Sequence, residues 1–134
     1  SRFYKSTDHG LTWSLRDSGW YAPPSGEEGD YAIEGGRLAV TAADNDRIYA
    51  VLVGYEQPGA SITTNGWVGT WVSNDAGETW SNPHGLIGTP YTEEHPNLMN
   101  FNGDDGDYTQ IHYNTCIIAS QLDADHVMLC FLNL

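Results

Sequence analysis

The residues best equipped for chemistry crowd into positions 91–114, Tyr-Thr-Glu-Glu-His-Pro-Asn-Leu-Met-Asn-Phe-Asn-Gly-Asp-Asp-Gly-Asp-Tyr-Thr-Gln-Ile-His-Tyr-Asn. Asn100, Asn102, Asp104, Asp105 and Asp107 place oxygen-bearing side chains close together, and Gly103 and Gly106 loosen the backbone between them. Hard cations such as Ca²⁺ take about six to eight oxygen ligands, often carboxylates and carbonyls of one loop. Asn102, Asp104, Asp105 and Asp107 are therefore candidate calcium ligands, and a cation there would relieve the repulsion among neighbouring carboxylates. The segment departs from an EF-hand, because Asp105 stands where the glycine belongs and no glutamate closes the loop. The competing reading is a solvated acidic turn. Glu93, Glu94 and Asp107 are the candidate catalytic carboxylates, since glycoside hydrolysis needs two carboxyl groups flanking the scissile bond.

Acids and aromatics also share the other long connections. Asp17, Glu27, Glu28, Asp30, Glu34 and Glu56 lie among Trp20, Tyr21, Tyr31 and Tyr55. Exposed aromatics among acids suit sugars or cations, and Trp20, Tyr21, Tyr31, Tyr55, Tyr91 and His95 are candidate ligand contacts. The alternative is a solvated acidic surface whose aromatics pack inward. Other chemistries lack their signatures. His84, His95, His112 and His126 show no zinc-ligand spacing. No Gly-x-Ser-x-Gly elbow anchors a Ser-His-Asp triad.

Composition narrows the partners. Eighteen acids face five lysines and arginines, for a net charge of −13. Nucleic acid needs clustered Lys or Arg to neutralise phosphates, so the composition argues against it as a partner, and against an anionic membrane surface for the same reason. No apolar run reaches the length of a membrane span. The two cysteines, Cys116 and Cys130, sit in β-like runs. They read either as small buried hydrophobes or as a disulfide across a hairpin in a secreted protein.

The elements that position these residues are short strands. Ser6–Trp13, Ser-Thr-Asp-His-Gly-Leu-Thr-Trp, recurs at Ser73–Trp80 as Ser-Asn-Asp-Ala-Gly-Glu-Thr-Trp, with Ser, Asp, Gly, Thr and Trp coinciding. Each copy follows a β-prone run, Arg2–Lys5 and Val68–Val72, and reads as a hairpin turn. The Ser and Asp side chains accept backbone N–H groups, and Gly10 and Gly77 supply a positive φ. A second pattern also repeats. Leu38–Thr41, a turn at Asp44–Asp46 and Ile48–Val53 form a hairpin, echoed by Cys116–Ser120, a turn at Asp123–Asp125 and Val127–Leu132. Gly, Pro and acids argue against regular structure over 17–36, and 54–66 and 81–114 read as connections too.

The repeated octapeptide resembles the Asp box, or BNR repeat, of sialidases, sortilin-type receptors and related β-propellers. In those families the box is structural and lies on the rim, away from the active site. The resemblance implies an all-β fold of four-stranded antiparallel blades. Counted from centre to rim, the chain reads as a half blade (1–16), a full blade (37–81) and a half blade (115–134). Propellers close with about four to eight blades, so the chain reads as part of a larger ring, or as halves that complement one another in a homo-oligomer. Segment 91–114 resembles the stretch before the innermost strand in bacterial secreted sortilin-like propellers, where Gln110 and Tyr113 match and Asn114 replaces a commoner Asp. The sialidase branch is disfavoured. Its arginine cluster would have to come from Arg2, Arg16, Arg37 and Arg47, and its Phe-Arg-Ile-Pro motif is absent.

Alternating turns put the short ones at one end of a blade and the long connections at the other, where function usually lives. The expectation is a secreted or cell-surface module that recognises protein or glycan at that end. A xyloglucanase-like glycoside hydrolase and a structural spacer are the alternatives. Trp13 and Trp80 are expected to be buried under their turns, and Trp20 to be more exposed.

Overall fold

The computed structural model describes residues 2–22, 33–55, 65–84 and 114–130. The described chain is all-β. It has eight strands: β1 (Tyr4–Lys5), β2 (Ser14–Leu15), β3 (Ile33–Val40), β4 (Ile48–Tyr55), β5 (Asn65–Ser73), β6 (Ser81–His84), β7 (Cys116–Ala119) and β8 (Val127–Cys130). They form three antiparallel groups, β1-β2, β3-β4-β5-β6 and β7-β8, each in sequence order. Within each group, strands consecutive in sequence are neighbours in space, as consecutive elements usually are.

Side-chain alternation along β4 divides the core in two. Tyr49, Val51 and Val53 face one side and pack with Ala39, Trp67 and the Ile117 and Ala119 of β7. Ala50 and Leu52 face the other and pack with Val68, Trp71, Trp80, Trp20 and Tyr21. The four-stranded sheet is therefore sandwiched. The β7-β8 hairpin covers β3 and β4 on one face, and residues of the N-terminal unit (2–22) cover the opposite face.

The second cluster is built from rings. Phe3 and Trp20 each meet Trp80 edge-on, with centroids 4.7 and 4.6 Å apart. Trp20 also lies 5.9 Å from Trp71, which Tyr21 approaches edge-on at 6.2 Å. Tilted and edge-to-face contacts at these distances are favoured by the ring quadrupoles.

Four expectations are corrected by the structure. Trp13 is 62% exposed, whereas Trp20 is buried at 9% and Trp80 at 6%. Phe3 and Trp20 come from the preceding unit to cover Trp80, while no described residue does the same for Trp13. Regular structure also begins earlier than Leu38, because Ile33–Arg37 already pairs with β4 through an irregular step between Ile33 and Gly35. Gly36 permits this: a Cβ there would stand 2.9 Å from Leu52 Cδ2 and 3.3 Å from the Val51 carbonyl. Lastly, Ser81–His84 is strand rather than connection. Pro83 is tolerated because β6 is an edge strand with a neighbour on one side only.

Candidate functional site

The two octapeptide turns have nearly the same internal wiring. Residues 8–11 and 75–78 each close with an N–H to C=O bond, Leu11 to Asp8 and Glu78 to Asp75, both 3.3 Å. Both central residues have positive φ: His9 at 60° and Gly10 at 87°, Ala76 at 57° and Gly77 at 84°. That is the signature of a type I′ turn, whose twist suits a hairpin. The Ser73 hydroxyl donates to Asp75 Oδ1 (2.7 Å) and accepts the Gly77 N–H (2.8 Å). Asp75 Oδ1 also accepts the Thr79 N–H (2.8 Å), and Oδ2 accepts the Thr79 hydroxyl (2.6 Å). Ser6, Asp8, Gly10 and Thr12 repeat the scheme.

These bonds pull the Asp75 carboxyl down from an ordinary 3.8 to about 2, the Thr79 hydroxyl being the largest cause, then the Thr79 N–H and the Ser73 hydroxyl. Asp8 behaves alike, with Thr12 and Ser6 as its donors. Both carboxylates are committed to holding a turn, and neither is poised to exchange a proton near neutrality. A depressed folded-state value adds stability that is complete above the unfolded value and fades as pH falls to the folded one. The stability gap between the wild type and Asp75→Asn should therefore narrow as pH drops from about 4 to about 2. Thermal melting across that range checks it, and a gap independent of pH would show that the charge of Asp75 contributes nothing.

Further bonds tie the short turns to one another. The Ala76 N–H donates to the Asp46 carbonyl at 2.8 Å. Tyr49 Oη donates to the Ala124 carbonyl at 2.7 Å, and Arg47 Nη1 reaches both Tyr49 Oη and Asp125 Oδ1 at 3.0 Å. The Thr41 hydroxyl donates to the Ser120 carbonyl. Gln121 bridges Ala42 N–H and the Val40 carbonyl. Glu78 accepts Lys5 Nζ at 2.8 Å and Arg16 Nε at 2.6 Å. Lys5, then Arg16, holds its carboxyl below the usual range. One end of the stack is thus occupied with its own cross-bracing.

The strands run toward and away from that end in alternation. At the opposite end the described chain stops or resumes at Ile33, Tyr55, Asn65, His84 and Asn114. Of the candidate ligand contacts, Trp20 and Tyr21 are core residues, 9% and 5% exposed. They hold the N-terminal unit against the central sheet and have little surface to offer a ligand. Tyr55 ends β4. Tyr31, Tyr91, His95, Gln110 and Tyr113 lie outside the described residues, as do the carboxylates Glu93, Glu94 and Asp107 and the candidate calcium ligands Asn102, Asp104, Asp105 and Asp107. Among the described residues no cluster of His, Cys, Asp and Glu has metal-holding geometry. No helix there is long and apolar enough to cross a membrane.

Sequence reasoning did not foresee the concave surface that the described residues form. A cleft of about 340 Å³ is lined by Arg2, Phe3, Trp20, Gly36, Leu38, Leu52 and their neighbours. Leu38, part of its lining, and Val40 leave apolar side chains open on β3, 55% and 64% exposed. On the opposite side of the sheet, the outer face of β7-β8 leaves Ile118 (51%) and Met128 (63%) open as well. The signal was present as unbroken apolar runs in the strands, which mark burial on both faces. No family model, curated protein or solved structure matches the chain.

Proposed function

We propose that this chain is a segment of an Asp-box β-propeller and serves as a secreted or cell-surface recognition module, binding protein or glycan at the end that carries its long connections. One observation supports this reading above the others. The short turns brace one another at one end of the stack, while the strands deliver the chain to the opposite end at Ile33, Tyr55, His84 and Asn114. The segments that join these points in the sequence hold Glu93, Glu94, His95 and Tyr91, together with Asp104, Asp105, Asp107, Tyr108 and Tyr113. A rigid scaffold with variable connections at one end is the usual arrangement for binding. The open apolar face of β3, with Leu38 and Val40, fits contact with an adjoining blade, since patches of this kind mark interaction surfaces.

A glycan array probed with the chain, followed by titration of any hit, tests the proposal. Tyr91→Ala and Tyr113→Ala are expected to weaken binding at least tenfold, whereas Thr12→Ala at the braced end should leave affinity unchanged. Loss through Thr12→Ala with no effect of the tyrosines would sink the proposal. A panel of polysaccharides run in parallel separates recognition from turnover. Hydrolysis abolished by Glu93→Gln, Glu94→Gln or Asp107→Asn would replace recognition with glycoside hydrolysis.

A further inference from the structure

Cys116 and Cys130 are direct cross-strand partners in the β7-β8 ladder. Both are free thiols, and both are partly exposed. Opposed residues of an antiparallel pair have Cα atoms about 4.5–5.5 Å apart and side chains on the same face. A disulfide requires a Cα separation of about 4.4–6.8 Å, so the backbone already satisfies its main demand. The sulfurs are close enough to interact, and the Cys116 side chain, by hydrogen bonding, holds the Cys130 thiol above its ordinary range. The pair shares its face with Ile118 and Met128, which are 51% and 63% exposed. The opposite face of the hairpin carries Ile117 and Ala119 into the core. A bond between the sulfurs would therefore form on the solvent side without disturbing the packed side.

We propose that Cys116 and Cys130 form a dithiol–disulfide couple that locks the β7-β8 hairpin when oxidised by a low-molecular-weight disulfide. One cysteine thiolate attacks a sulfur of the small disulfide, forming a mixed disulfide and expelling one small thiolate. The facing cysteine gives its proton to solvent and attacks the protein sulfur of the mixed disulfide. The intramolecular bond forms and the second small thiolate leaves. Two protein thiols have together lost two electrons and two protons, and the small disulfide has become two thiols. The reaction needs only a thiolate with access to the disulfide, and the exposed face of the hairpin provides that access. The bond would close the turn that contains Ser120–His126 and fasten β8 to β7, the strand anchored to the central sheet.

The test equilibrates the folded chain with oxidised and reduced glutathione in varied ratio, quenches with acid, alkylates under denaturing conditions and reads intact mass. The expected product has lost two hydrogens, takes up no alkyl group, and yields a peptide in which Cys116 is joined to Cys130. Its melting midpoint should exceed that of the reduced form. Cys116→Ser and Cys130→Ser should each stop at one stable glutathione adduct, and their circular dichroism reports whether they remain folded. Two alkylated thiols, a persistent double glutathione adduct or a covalent dimer from the wild-type chain under oxidising conditions would each overturn the proposal.

Discussion

Trp80→Ala is expected to destabilise the fold by about 3–5 kcal/mol, the usual range for emptying a buried aromatic site. Trp80 is 6% exposed and is capped by the rings of Phe3 and Trp20 at 4.7 and 4.6 Å. Its removal leaves a cavity that both rings line, at the seam between the N-terminal unit and the central sheet, and neither ring can fill it without giving up its contact with the sheet. Trp13 occupies the same place in the same octapeptide but is 62% exposed. Its indole N–H donates to the Gly10 carbonyl at 3.1 Å, a bond that water replaces at little cost. Trp13→Ala should therefore stay below about 1 kcal/mol, since a surface change away from caps and cores rarely exceeds about 0.5 kcal/mol. Urea unfolding of both variants, compared at constant m-value, gives the two costs. Similar losses would mean that the tryptophans belong to the local turn and that the inter-unit seam contributes little.

That contrast marks how far the sequence could be read. The turns were legible because their causes are local. A Ser, an Asp and a Thr at fixed offsets carry the hydrogen-bond network, and a Gly at the fifth place takes the positive φ. The Leu38–Val53 and Cys116–Cys130 hairpins were legible because β-branched and apolar runs flank Asp-rich turns. Burial was legible for Trp80 but not for Trp13 or Trp20, because what covers a residue is set by segments distant in the chain: Phe3 and Trp20 lie 77 and 60 residues before Trp80 in the sequence (80 − 3 and 80 − 20) and yet pack on its ring. The start of β3 was hidden for a related reason. Gly35 and Gly36 look like a loop in isolation and become strand only when β4 approaches within van der Waals contact of Gly36. Of the candidate ligand contacts, the burial of Trp20 and Tyr21 follows from the same long-range packing. An aromatic in a Gly- and Pro-rich connection looks like a surface group until a neighbouring sheet supplies two more rings for it to meet.

Gly19→Ala is expected to cost roughly 2–4 kcal/mol, more than any other glycine-to-alanine change in the turns, because it combines left-handed strain with overpacking. Gly19 has φ of +74°, and a Cβ built on it would lie 1.9 Å from the Trp80 carbonyl oxygen and 2.9 Å from the carbonyl carbon. The obstacle is backbone, not the end of a flexible side chain, so one segment has to move. That segment is held: the Trp80 N–H donates to the Ser18 carbonyl at 2.9 Å, and Ser18 pairs with Thr79 as an isolated parallel bridge. Moving it apart would break these bonds and lift Trp20 from Trp80. Gly10→Ala is the control. Its φ of +87° imposes comparable strain, but its Cβ would meet only Trp13 Cζ2 at an ordinary 3.7 Å. It should cost about 1–2 kcal/mol, the left-handed penalty alone. Equilibrium unfolding of the two variants separates the effects, and intrinsic fluorescence should shift toward that of exposed tryptophan for Gly19→Ala only. Equal costs and unchanged spectra would show that the close approach at Gly19 does not hold the N-terminal unit to the central sheet, and that this seam yields more readily than its ring contacts imply.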